Sequence, residues 1–159
     1  VETVVKYNQK RKYDMADKII KIVDNKIKNK KISILGLAFK PGTDDMRDSP
    51  ALDIIPKLQQ AGFNISVFDP VAMKEAKSLL NNIVFSENIE GCLKNADALV
   101  ILTEWNEFRG LTANKLKKLM KGNILIDLRN ALNPENFHES EFTLTQIGRP
   151  TKKKIIINQ

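Results

Sequence analysis

The chain has 159 residues, of which 42% are hydrophobic and 28% are charged, a globular composition that excludes a disordered chain. Its single cysteine, Cys92, excludes an internal disulfide framework and is typical of a reducing, cytoplasmic setting. No apolar run approaches the roughly 20 residues of a transmembrane helix, so we expect no membrane association. The chain begins at Val1 inside a helical pattern and without a signal peptide, and we therefore expect it to be a piece of a longer protein.

The formal net charge is +7 and the isoelectric point is about 9.5, but the placement of the charge argues against a nucleic-acid partner. Lysines are scattered along the chain, and the only dense runs are Asn25–Lys31 and Lys152–Lys154. The sequence contains no arginine-rich helix and no row of aromatic residues between basic ones. A lysine-rich surface explains most of the charge, and a basic cleft for an anionic small molecule would explain part of it.

The first element is a long amphipathic helix from Val1 to about Asn25, whose apolar stripe is interrupted by the polar stretch Asn8–Lys12. The charged segment Asp24–Lys30 then marks the best domain boundary. We therefore divide the chain into a connecting helix (residues 1–29), a ligand-binding domain (30–150) and a loosely attached tail (151–159).

After this boundary, apolar strands alternate with helices. The predicted strands are Ile32–Gly36, Asn64–Asp69, Ile83–Ser86, Ala98–Thr103, Asn123–Leu128 and an alternating edge strand at Phe142–Ile147. The predicted helices are Pro50–Ala61 (N-capped by Ser49, with Pro50 in its first position), Val71–Leu80, Ile89–Lys94, Thr112–Met120 and a single turn at Pro134–Phe137. This order predicts a Rossmann-like α/β fold, with an open, mainly parallel sheet, helices on both faces and a long helix in front.

Parallel sheets of this kind bind ligands at the carboxyl ends of their strands. In this sequence those ends are Gly36–Arg47, Asp69–Pro70, Thr103–Arg109 and Asp127–Asn130. We expect the functional residues in these four loops.

The loop after the first strand carries two cations, Lys40 and Arg47, and two acids, Asp44 and Asp45. It does not contain the GxGxxG sequence of a dinucleotide-binding turn. Lysine and arginine at this place suit a phosphate or sugar oxygen, and the alternative is that Arg47 pairs with Asp44 or Asp45 to hold the loop.

Two residues outside this loop, Trp105 and Arg129, also leave two interpretations open. Trp105, the only tryptophan, either lines a binding site or covers the end of the sheet as core. Arg129, directly after a buried strand, either binds an anion or forms an ion pair with Asp127. Cys92 is interpreted as a buried, unreactive thiol, because nothing near it in the sequence would lower its pKa. No cluster of residues has the spacing of a metal site.

Four segments in this order and spacing carry a family resemblance: GLAFKPGTDDMRDSPALDII, FDPVA, ADALVILTEWNEFR and DLRN. They resemble the carboxyl-terminal domain of the UDP-glucose/GDP-mannose dehydrogenase family, and the first helix resembles the end of that family's central dimerisation helix. The TEWNEFR stretch is most similar to the branch that oxidises UDP-glucose. The alternatives are the GDP-mannose and UDP-N-acetyl-hexosamine branches, or a stand-alone nucleotide-binding module.

The resemblance implies a role in oxidising a nucleotide-sugar alcohol to a carboxylate with two NAD+, through a cysteine-bound thiohemiacetal and thioester. It assigns Phe39, Lys40 and Arg129 to the UDP-sugar substrate and Arg47 to the NAD cofactor. The family's NAD-binding fold and its catalytic cysteine, in a CFPKD-type context, have no match in this sequence, and Cys92 does not stand in for that cysteine. We therefore assign no catalytic or metal-binding residue here. We expect an inactive fragment that works with an amino-terminal NAD domain in a homodimer.

Overall fold

The computed structural model describes residues 2–24, 29–148 and 150–151, and side chains from Gln9 onward. The helices are α1 Glu2–Val23, α2 Ala51–Gln60, α3 Met73–Leu79, α4 Ile89–Leu93, α5 Asn106–Arg109 and α6 Ala113–Leu119, with a 3₁₀ turn at Pro134–Phe137. The strands are β1 Lys31–Leu35, β2 Asn64–Phe68, β3 Val84–Phe85, β4 Ala98–Ile101, β5 Ile124–Asp127 and β6 Thr143–Gln146. No helix among these residues has the length and hydropathy to cross a membrane.

The six strands form one parallel sheet in the order β3-β2-β1-β4-β5-β6. Strands β1 to β3 are added toward one side of the sheet and β4 to β6 toward the other. The strand order therefore reverses between β1 and β4, which are paired at the centre. This arrangement confirms the predicted Rossmann-like fold, and it places the four predicted loops at one edge of the sheet.

Alternate residues of each central strand enter two separate apolar cores. Ile32, Ile34 and Val100 pack on one face with α1, α2 and α3, and Leu35 and Leu99 pack on the other with α4, α5 and α6. All four residues of β4 are buried, as expected for a strand covered on both faces.

The polar interruption in α1 lies where this helix meets the first turn of α2. Gln9 Nε2 donates to Asp53 Oδ1 at 2.8 Å, and Lys12 Nζ lies 3.4 Å from Asp53 Oδ2. Further along α1, Ala16, Ile19 and Val23 are buried in the core. The helix is therefore attached by a polar contact in one half and by apolar packing in the other.

The start of α2 matches the predicted cap in its hydrogen bonding and differs by one residue in its bound. The helix begins at Ala51, but Pro50 already has helical backbone angles, and the Ser49 hydroxyl accepts from the Ala51 amide at 3.2 Å, as an N-cap does. The same hydroxyl donates to the carbonyl of Leu37. Two other local expectations were wrong. Strand β6 is not alternating, because its last three residues are all buried. Helix α5 was missed because a four-residue helix is too short to show a period.

Residues 25–28 of the predicted boundary segment Asp24–Lys30, and residues 152–159 of the predicted tail, lie outside the described residues. Both divisions stay predictions.

Candidate functional site

The loop backbones at the carboxyl edge are held by a buried carboxylate at the end of β2. Asp69 is 1% exposed. Its Oδ2 accepts from the amides of Leu37 and Ala38 at 2.8 and 3.0 Å and from Trp105 Nε1 at 3.1 Å. Its Oδ1 accepts from the amides of Val71 and Ala72 at 2.9 and 2.8 Å. Asp69 therefore joins the loops after β1, β2 and β4.

A second buried carboxylate does the same at the end of β5. Asp127 Oδ1 accepts from the amides of Arg129 and Ala131, each at 3.1 Å, and its Oδ2 accepts from Leu132 N and Gln146 Nε2, each at 2.8 Å. The Asp127 side chain thus binds backbone and an amide group rather than the Arg129 guanidinium. The alternative of an Arg129–Asp127 ion pair was wrong.

The loop after β1 also packs directly on the end of β4. Gly36 has a φ of +94°, and a Cβ atom there would lie 2.5 Å from Thr103 Cβ and from Thr103 N. The Thr103 hydroxyl donates to the carbonyl of Ala38 at 2.7 Å. Only glycine fits where the two backbones approach this closely. The approach fixes the start of the loop that carries Phe39.

A cleft of about 510 Å³ opens at this edge. One wall is the middle of α1, which contributes Gln9, Arg11, Lys12 and Met15. The other surfaces come from the loop after β1 and from the strand ends, which contribute Phe39, Asp48, Pro50, Leu102, Leu128, Arg129 and Ile147. The cleft therefore combines an apolar floor with three cations and one carboxylate.

Within this cleft, Arg129 forms a two-point ion pair with Glu104 from the neighbouring strand end. Arg129 Nε lies 2.5 Å from Glu104 Oε2, and Nη2 lies 3.0 Å from Oε1. The side chains are 35% and 24% exposed. The hydrogen bond from Arg129 lowers the pKa of the Glu104 carboxyl. Sequence reasoning missed Glu104 as the partner because 25 residues separate the two.

The structure brings together two of the four site residues predicted from the sequence. Phe39 and Arg129 line the cleft, and Phe39 is 46% exposed although it is aromatic. Lys40 follows Phe39 on the exposed surface and is not among the lining residues.

Arg47 lies outside the cleft and forms the local pair that was the alternative interpretation. Its Nε and Nη2 each lie 3.1 Å from the Asp45 carboxylate, and its backbone amide donates to Asp45 Oδ1 at 2.9 Å. The Arg47 hydrogen bond lowers the pKa of the Asp45 carboxyl. The Arg47 side chain is nevertheless 89% exposed, so the guanidinium stays accessible to a ligand.

Trp105 packs as part of the core. Its ring is partly buried against both apolar cores, its indole donates to Asp69, and it does not line the cleft. The sequence left this choice open because it does not show which side chain meets the indole N–H.

The cysteine and the acidic residues that the structure describes do not form a second candidate site. Cys92 is fully buried and donates to the carbonyl of Ile34 at 3.7 Å. This confirms the prediction of a buried thiol. Burial raises the pKa of the thiol to about 11, so it stays protonated at neutral pH. Within the described part of the chain, no group of three or more histidine, cysteine or acidic residues is placed to hold a metal ion.

Comparison with known proteins points to one family. The model of the UDP-glucose/GDP-mannose dehydrogenase family, UDP binding domain, matches residues 33–134. The UDP-glucose 6-dehydrogenase of Rhizobium meliloti (strain 1021) is 43% identical over 150 residues, which are 94% of this chain and 34% of that protein. UDP-glucose 6-dehydrogenase TuaD of Bacillus subtilis (strain 168) is 38% identical over 151 residues, 94% of this chain and 32% of that protein.

A solved structure shows the same fold. The NDP-N-acetyl-D-galactosaminuronic acid dehydrogenase from Methanosarcina mazei Go1 superposes with a TM-score of 0.71 at 28% identity, covering 89% of this chain and 29% of that one. The chain thus spans about a third of the length of the relatives it matches. The match of the family model across most of the sheet and the identity to full-length relatives show that this chain belongs to the UDP-glucose/GDP-mannose dehydrogenase family and contains its UDP binding domain.

Proposed function

We propose that this chain is the UDP-sugar-binding part of a UDP-glucose 6-dehydrogenase, which converts UDP-glucose, two NAD+ and water to UDP-glucuronate and two NADH. The observation that carries this proposal is the cleft at the carboxyl edge, which holds both Phe39 and Arg129. Relatives with 43% and 38% identity over nearly the whole chain, both called UDP-glucose 6-dehydrogenase, favour that substrate.

The proposed roles follow from the chemistry of each side chain. Arg129 donates charge-assisted hydrogen bonds to the diphosphate of the nucleotide. Phe39 covers the ligand with its exposed ring, and Leu102 and Leu128 give the cleft an apolar floor. Lys40, which follows Phe39 on the exposed surface, supplies a point charge toward the sugar side of a longer ligand.

The described residues do not form a complete dinucleotide site. The turn after β1 lacks GxGxxG, and the carboxylate at the end of β2, where a Rossmann fold places its ribose acceptor, already accepts five N–H groups. NAD would therefore be bound mainly by an amino-terminal domain of the same protein. Arg47 would add one accessible guanidinium to that site.

The remaining proposals concern assembly and location. We assign α1 to the helix that connects the two domains and builds a homodimer, in a cytoplasmic enzyme. Sedimentation velocity over a range of concentrations tests the dimer, and a monomer at every concentration would count against it.

Calorimetric titration with UDP, UDP-glucose, GDP-mannose and NAD+ tests the substrate assignment. We expect weak binding of UDP and UDP-glucose. Arg129→Ala should remove about 1.5–3 kcal/mol of binding free energy, which is roughly a 10- to 150-fold increase in Kd. Lys40→Ala should weaken UDP-glucose more than UDP.

Arg109→Ala is the matched control, because Arg109 is an exposed arginine at the end of α5 and does not line the cleft. It should leave the Kd of UDP unchanged. Preference for GDP-mannose would move the assignment to that branch of the family. Absence of any nucleotide binding by the unmodified chain would contradict the proposal.

A further inference from the structure

We propose that Glu104 is a positioning residue for nucleotide binding, which holds the Arg129 guanidinium so that its remaining edge faces the cleft. This inference rests on the proposed function of Arg129. Glu104 lies in the TEWNEFR segment, but the resemblance gives it no role and it is not among the residues that line the cleft.

The geometry of the pair supports positioning rather than simple neutralisation. Glu104 engages Nε and Nη2 of the guanidinium, and Nη1 takes no part in this pair. A planar guanidinium held along one edge presents its other N–H groups in a fixed direction. Arg129 can therefore keep its contact with Glu104 while it donates to a ligand oxygen.

The two backbones that carry the pair are themselves fixed. Arg129 follows Asp127, whose carboxylate accepts the Arg129 amide at 3.1 Å. Glu104 lies between Thr103, which donates to the loop after β1, and Trp105, which donates to Asp69. The side-chain torsions of Arg129 are then the main freedom left, and the two contacts from Glu104 restrict them.

Removing these contacts should make Arg129 mobile before the ligand arrives. The ligand must then order a long side chain on binding, which should raise the Kd of UDP by about two- to tenfold in Glu104→Ala. Glu104→Gln keeps one acceptor and a similar shape, so its Kd should fall between those of the wild type and Glu104→Ala. Glu107→Gln is the control, because it removes one negative charge from the same segment at an exposed position.

The experiment combines calorimetry with the nitrogen–proton NMR signal of Arg129 Nε in the ligand-free protein. We expect a slowly exchanging Nε–H signal in the wild type and in Glu107→Gln, and its loss in Glu104→Ala. In an Arg129→Ala background, Glu104→Ala should no longer change the Kd of UDP, because the positioned group is gone. A general effect of Glu104 on folding would persist in that background.

Each outcome decides the proposal. Tighter or unchanged UDP binding by Glu104→Ala, while Arg129→Ala weakens it, would show that Glu104 only neutralises Arg129 and would overturn the positioning role alone. If Glu104→Ala does not fold, Glu104→Gln decides by the same criterion. A wild-type chain that binds no UDP would overturn both the proposed function and the positioning role. This result differs from one in which only the Glu104 variant binds UDP as tightly as the wild type.

Discussion

Asp69 illustrates how a side chain in a candidate binding loop serves the scaffold. Five N–H groups point at its two oxygens, three of them at Oδ2. A buried carboxylate is tolerated here because these donors replace its hydration. The loops at the carboxyl edge therefore depend on an acid that does not face the cleft.

Asp69→Asn should destabilise the fold by about 2–4 kcal/mol, because the amide nitrogen replaces one acceptor and leaves buried N–H groups without a partner. Urea unfolding monitored by circular dichroism measures this loss. Asp44→Asn, at an exposed position in the loop after β1, is the control and should change stability by less than about 0.5 kcal/mol. Equal stabilities of the two variants would contradict this account.

Cys92 should give the stability of the protein a dependence on alkaline pH. Burial raises the thiol pKa from 9.0 to about 11 in the folded state, so the neutral thiol favours the folded state below pH 9. Between pH 9 and about 11, the unfolded state ionises first and stability is lost by about 1.4 kcal/mol per pH unit.

The measurement compares the free energy of unfolding of the wild type and Cys92→Ala from pH 7 to 11. The difference between them should shrink by about 2–3 kcal/mol over this range, because lysine and tyrosine titration is common to both. A constant difference would show that the folded thiol ionises normally.

Single residues mark how far the sequence predicts this site. Arg129 was predicted because it directly follows a strand of a parallel fold, where chain position alone places it at the binding edge, whereas Phe39 was assigned only through the family resemblance. The Glu104 partner and the saturation of Asp69 could not be found, because both depend on side-chain contacts between segments 25 to 36 residues apart.

At the scale of elements, two ion pairs among the described side chains join α1 and α2, and they differ in burial. Lys12 and Asp53 are 19% and 23% exposed at 3.4 Å, whereas Lys57 and Asp17 are 32% and 63% exposed at 3.0 Å. Solvent screens the second pair more strongly, although its distance is shorter.

We expect a double-mutant cycle to give a coupling of about 0.5–1 kcal/mol for Lys12 with Asp53 and less than about 0.5 kcal/mol for Lys57 with Asp17. Denaturant unfolding of the alanine variants measures both. A larger coupling for the more exposed pair would mean that distance, rather than burial, controls how α1 is attached.

The apolar periodicity predicted every strand and most helices, since burial on one or two faces leaves a clear pattern in the sequence. The periodicity failed where a polar residue is buried or takes part in a contact between elements. In β6, Gln146 is buried because its amide donates to Asp127, so a polar residue occupies a core position. In α1, the polar interruption was visible, but its partner Asp53 on α2 was not.

At the scale of the whole molecule, we expect this chain alone not to transfer hydride. Its only cysteine is buried and has a pKa raised to about 11, so it offers no accessible thiolate for the thiohemiacetal that the family resemblance implies. Incubation with UDP-glucose and NAD+, followed at the absorbance of NADH, should match a no-protein control. Steady production of NADH would contradict this expectation.

The two saturated carboxylates, Asp69 and Asp127, also bear on how this edge of the molecule moves. Loops at the ends of strands are commonly mobile. Here each carboxylate accepts hydrogen bonds from several amides of these loops and so restricts their motion. The amide protons of Leu37, Ala38, Ala131 and Leu132 should therefore exchange with solvent about as slowly as those inside the strands. A ligand arriving at such an edge meets a surface that is already ordered, so little of its binding energy is lost in arresting the chain.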